Sequence, residues 1–61
     1  MLGWREMLVL DILKKYGRAM TEEEIYTYVA DEMGKISIYN AVMNLEELNM
    51  AYILDNKKWR I

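Results

Sequence analysis

The sequence predicts a small α+β domain, three helices followed by a short two-stranded β-hairpin, with residues 1–61 forming a single unit. Three observations point there. Apolar residues recur at helical spacing in three segments, parted by Gly17 and Gly34. A Thr21-x-x-Glu24 pattern opens the second segment as a helix start. From Met50 onward the chain turns to strand formers on either side of Asp55-Asn56.

The first helix is expected over Leu2 to Tyr16. Leu8, Ile12 and Tyr16 recur at i, i+4 and i+8, flanked by Val9 and Leu13, and this places them inward. Gly17 ends it, and Lys14, Lys15 and Arg18 suit the negative end of a helix dipole. Helix two runs from Glu22 to about Met33 behind Thr21 as N-cap, with Ile25, Val29 and Met33 as its core stripe and Tyr28 beside them. Glu22 and Glu23 lie in its first turn, where the dipole favours anions. Gly34 breaks the pattern and opens a tight turn. Helix three spans about Ile36 to Leu48, with Ile38, Ala41, Val42, Leu45 and Leu48 on one face. Asn49 can take the left-handed conformation that ends a helix. Met50 to Leu54 and Lys57 to Ile61 are the two strands, joined by Asp55-Asn56. Tyr52 and Leu54 are expected to meet the Trp59/Ile61 face and close the core beneath the hairpin. A two-stranded hairpin is not stable alone, so it must pack on the helices.

Composition narrows the function classes. The chain has no cysteine and no histidine, which removes disulfides and zinc sites of Cys/His type. A hydrophobic fraction of 54% argues against disorder. The net charge of −2, from 8 basic and 10 acidic residues, neither draws the chain to nucleic acid nor forbids a local basic patch. No apolar run approaches the ~18 residues of a membrane span, and Arg5, Glu6 and Asp11 spoil a secretory leader. A cytoplasmic protein with no membrane partner is the expectation. No Ser-His or Cys-His pair is available for catalysis, and Gly3, Gly17 and Gly34 are isolated rather than a phosphate loop. The acidic residues lack a calcium-loop pattern. No enzyme activity, cofactor or metal is expected.

The ordered set of segments resembles the winged helix-turn-helix domain of small prokaryotic, archaeal or viral DNA-binding regulators. The stretch from Ser37 to Met50 is similar to the family run T-V-Y-R-x-L-x-x-L-E-x-x-G-L. Ser37 falls on the Thr, Ile38 on the Val, Tyr39 on the Tyr and Asn40 on the Arg. Val42 and Leu45 fall on the two leucines, Glu46 on the Glu, Asn49 on the Gly and Met50 on the last Leu. Met20 to Ile25 resembles the hydrophobe-T-x-x-E-[IL] opening of the family's second helix, and Trp59-Arg60-Ile61 the return strand of a short wing. The resemblance implies that helix three enters the DNA major groove and that the wing touches the backbone or minor groove. Two departures stand out: Asn40 and Asn44 occupy positions where the family often has arginine.

With the apolar face buried, helix three shows Ile36, Tyr39, Asn40, Met43, Asn44 and Glu47. Asn40 and Asn44 are candidate adenine readers, because an amide can bond an adenine edge twice. Tyr39 is a candidate phosphate contact. Lys35, Lys57, Lys58 and Arg60 are the candidate phosphate clamp, and Ser37 completes the DNA-facing set. Double-stranded DNA is the expected partner, with transcription regulation as the role. The rival is a protein-protein interaction module of a larger assembly, using Ile36, Tyr39 and Met43 as an apolar patch. Helix one also carries more apolar side than one core needs. Trp4, Met7 and Leu10 are the candidate contact of a homodimer, which would present two recognition helices to neighbouring half-sites.

Overall fold

In the computed structural model, which describes residues 2–61, α1 covers Trp4–Tyr16, α2 Glu22–Val29 and α3 Lys35–Glu47, and β1 (Tyr52–Ile53) and β2 (Trp59–Arg60) follow as an antiparallel hairpin. The order and pairing match winged helix-turn-helix topology.

Local chemistry sets most helix ends. α1 starts at Trp4 rather than Leu2, because the extended Gly3 donates its N–H to Glu6 Oε1 at 2.9 Å and closes the helix there. Gly17 takes φ +61° and gives its N–H to the Leu13 carbonyl at 3.0 Å, ending α1 where the sequence predicts. The Thr21/Glu24 capping box forms in both directions. Glu24 N–H donates to Thr21 Oγ1 at 3.1 Å, and Thr21 N–H donates to Glu24 Oε1 at 3.0 Å. α2 stops at Val29, four residues short of the expected Met33. The N–H groups of Glu32 and Met33 share the Val29 carbonyl, a tightening that ends the helix yet leaves Met33 buried. α3 ends in a Schellman motif: Asn49 at φ +59°, with Met50 N–H on the Leu45 carbonyl and Asn49 N–H on the Glu46 carbonyl, both 2.9 Å. The same break turns Leu48, expected inside, out to solvent.

The core joins Val9, Leu10 and Leu13 of α1, Met20 of the α1–α2 link, Ile25 and Val29 of α2, Met33, four residues of α3 (Ile38, Ala41, Val42, Leu45), Ala51 and Trp59. On α1 the buried stripe differs from the expected one. Leu8, Ile12 and Tyr16 lie half-buried at its border, and Leu10, expected at a dimer contact, is inside. Leu8, Val9, Leu10, Ile12, Leu13 and Tyr16 spread over more than one helix face, so spacing alone does not choose among them. Packing against α2 and α3 does.

The hairpin is narrower than expected. Tyr52 faces Arg60 and Ile53 faces Trp59. Lys57 joins Asp55 and Asn56 in the loop at φ +61°, while Leu54 accepts from Lys57 N–H at 2.9 Å and donates to the Lys58 carbonyl at 2.8 Å. This is a three-residue hairpin loop whose last residue is left-handed. Tyr52 and Ile61 are exposed and Leu54 is half-buried, so the expected four-residue closure of the core is replaced by Trp59 with Ala51 behind it.

Trp59 also makes a contact that no local pattern announces. Its backbone N–H and C=O pair with those of Met20 at 2.7 and 2.8 Å, forming an antiparallel bridge between β2 and the α1–α2 link. Its indole Nε1 donates to Glu22 Oε2 at 3.3 Å. Met20 thus adds an isolated one-residue bridge beside the two-stranded hairpin.

Two predictions follow from these fastenings. Trp59→Ala should cost about 3–5 kcal/mol. A chain of this size has only about 3–9 kcal/mol of stability, so the melting temperature followed by far-ultraviolet circular dichroism should fall by roughly 12–40 °C, and a cooperative melt near the parent's would contradict the role given to Trp59. The Glu24 carboxyl is held at about 2, below the ordinary 4.5, first by the Thr21 N–H and then by the Arg18 guanidinium. A lowered folded-state pKa stabilises above the unfolded value and fades as pH falls. The melting temperature should therefore drop between pH 4.5 and about 2, and Glu24→Gln should flatten that part of the profile.

Candidate nucleic-acid interface

Four buried residues hold α3: Ile38, Ala41, Val42 and Leu45 anchor one side. The opposite side presents Ile36, Tyr39, Asn40, Asn44 and Glu47 to solvent, with Ser37 and Met43 half-buried at its margins. Ile36 is 79% exposed, an unusual position for an isoleucine.

α3 differs from its neighbours at its N-terminus. Glu6 and Glu24 close the starts of α1 and α2, whereas α3 has no side-chain cap and no acid in its first turn. Its first residue is Lys35, whose ammonium lies 5.4 Å from the centre of the Tyr26 ring, a cation–π contact that steadies it over α2. The amides of the first turn and this cation bias the site toward anions. Asp31 and Glu32, exposed in the preceding turn, oppose that bias.

The remaining sequence-predicted residues do not gather around α3. Asn44 aims its amide at Glu6 Oε2 of α1, 3.5 Å away and at the limit of a hydrogen bond. It therefore sits beside a carboxylate, apart from the freer Asn40. Lys57 shares a shallow depression with Thr21, Glu22, Glu23 and Asn56, so its charge stands before the acidic first turn of α2. Lys58 is half-buried, and its charge acts on Glu24. Arg60 is turned away from both, into a depression it lines with Lys14 and Arg18. The expected clamp of Lys35, Lys57, Lys58 and Arg60 is thus spread over three places. The basic end of α1, read from sequence as answering the helix dipole, adjoins Arg60.

The candidate dimer surface is also divided. Trp4 and Met7 are about half exposed one turn apart, with the Arg5 guanidinium 4.6 Å from the Trp4 ring centre. Leu10, buried at 5% exposure, belongs to the core and offers no surface to a second chain. Elsewhere Tyr16 and Tyr28 stack with ring centres 4.4 Å apart, locking the end of α1 to α2. Among the described residues, no helix is long and apolar enough to cross a membrane.

Sequence reasoning missed Lys14 and Arg18 as companions of Arg60. The signal available was period two: Arg60 follows the buried Trp59 and so takes the opposite strand face. What that face adjoins was not legible without the bridge from Trp59 to Met20. Comparison of the chain with protein-family models, curated proteins and solved structures returned no match.

Proposed function

We propose that this chain is a DNA-binding winged helix-turn-helix domain that acts as a transcription regulator, with the N-terminal half of α3 as its reading surface. The observation that carries this reading is the start of α3, whose uncapped amides and Lys35 lie next to the exposed Tyr39 and Asn40. Lys35 and the first-turn amides would meet one phosphate. The Tyr39 hydroxyl and the Ser37 hydroxyl would bond the backbone, and Lys57 at the wing tip would meet a second phosphate. Asn40 would read an adenine edge, with Asn44 available beside it once released from Glu6, and Ile36 would pack on a thymine methyl. With the acidic first turn of α2 offsetting Lys57 and Lys58, few phosphates are neutralised. Backbone attraction is accordingly modest.

A second reading rests on the 79% exposure of Ile36, next to Tyr39 and Met43: a protein-interaction module using this same face. A homodimer through Trp4 and Met7 is compatible with either reading, because those residues lie on α1.

Fluorescence anisotropy with random duplex DNA separates the readings. Two or three phosphate contacts predict a fall in affinity of about 10- to 40-fold between 50 and 200 mM salt. Lys35→Gln should lower the salt slope by about 1. Absence of binding at the lower salt would defeat the DNA reading in favour of a protein partner. For the dimer, sedimentation equilibrium should show a concentration-dependent mass that Trp4→Ala with Met7→Ala abolishes. A constant monomer mass would remove it.

A further inference from the structure

We propose that the depression between the end of α1 and β2 is an anion site that takes a phosphate group. It has a volume of about 300 Å³ and is lined by Leu13, Lys14, Gly17, Arg18, Arg60 and Ile61. Three of these six residues are cationic, and none carries an acidic side chain, in a chain whose net charge is −2. The cations come from separate parts of the sequence. Lys14 lies in the last turn of α1, Arg18 just beyond the left-handed Gly17, and Arg60 on β2, beside Trp59.

The donors are free to act. Among the described residues one ion pair is present, Arg18 Nη1 to Glu24 Oε2 at 2.8 Å. The same Nη1 also makes a long 3.4 Å bond to the Ala19 carbonyl, which leaves N–H groups on the other guanidinium nitrogens for a ligand. Arg60 Nε makes only a long 3.4 Å bond to a backbone oxygen of Ile61, and its two terminal nitrogens carry no protein partner among the described residues. Lys14 has no carboxylate within 4 Å among them. Cations at the C-terminal end of a helix ordinarily answer its partial negative charge of about half a unit. Three cations exceed that need, and Arg60 belongs to another element. Two guanidinium forks and an ammonium around one concavity suit the oxygens of a phosphate. The proposal stands apart from the reading of α3, since the site includes no residue of α3 or of the wing loop.

The phosphate could be free, as inorganic phosphate or a nucleotide, or part of a nucleic-acid backbone. Amide-resolved NMR titrations with inorganic phosphate and with duplex DNA, each against sodium chloride at matched ionic strength, separate these sources. Saturable phosphate shifts at Gly17, Arg18, Arg60 and Ile61 support the site. The same shifts with DNA assign it to a nucleic-acid backbone, and their absence with DNA assigns it to a small phosphate. Arg60→Gln and Lys14→Gln alter exposed side chains outside the core, and each should weaken phosphate binding about tenfold or more, as loss of a charge-assisted bond does. Shifts that track chloride without saturating, or binding that survives both substitutions, overturn the proposal. Shifts at residues 35–40 report on the α3 reading separately, so either can fail without the other.

Discussion

The burial of Trp59 is the constraint on which the rest of this structure depends. A two-residue strand pair has almost no stability of its own, and the chain has neither disulfide nor zinc ligands to staple it. Trp59 supplies the attachment in three ways at once. Its side chain enters the core at 1% exposure, its backbone pairs with Met20, and its indole N–H is satisfied by Glu22. The last point matters because a buried indole donor without a partner is costly. One residue thereby ties the hairpin to the α1–α2 link, to the start of α2 and to the core.

That fastening also arranges the charges. Once Trp59 is fixed against Met20, the loop before it must stand over the start of α2, which the capping box fills with glutamates. The residue after it must lie beside the end of α1, which is basic. The wing lysines are therefore partly neutralised, while Arg60 joins like charges. α3 is held from its other side and keeps its outer face clear of both groups. The result is a chain of small net charge with two separate surfaces that differ in character: a largely uncharged helix face and a concave basic one.

Much of the fold was legible because it is governed by local rules. Gly17, the Thr21/Glu24 box and the left-handed Asn49 mark helix ends through backbone amides and carbonyls a few residues away. The apolar face of α3 was legible from Ile38 to Leu45, where one stripe is unambiguous. α1 was not, since its apolar residues satisfy several stripes and only its neighbours choose which is buried. The candidate site was less legible still. Asn44 beside Glu6 and Arg60 beside Arg18 join residues 38 and 42 positions apart, which no spacing within an element can relate.

The sequence alone determined which segments become helix or strand, where each begins or ends within a residue or a few, and that an apolar core must be shared among them. Those properties follow from interactions that close within one or two helical turns. Only the tertiary structure decided that Leu10 is core, that Met20 bridges to β2, and which cations face carboxylates and which face one another. The pairing of Met20 and the sorting of the cations turn on the single bridge between Met20 and Trp59, 39 residues apart. Its hydrogen bonds are between backbone groups that every residue but proline carries alike, so nothing in the side-chain pattern could specify the pairing before the core closed around it.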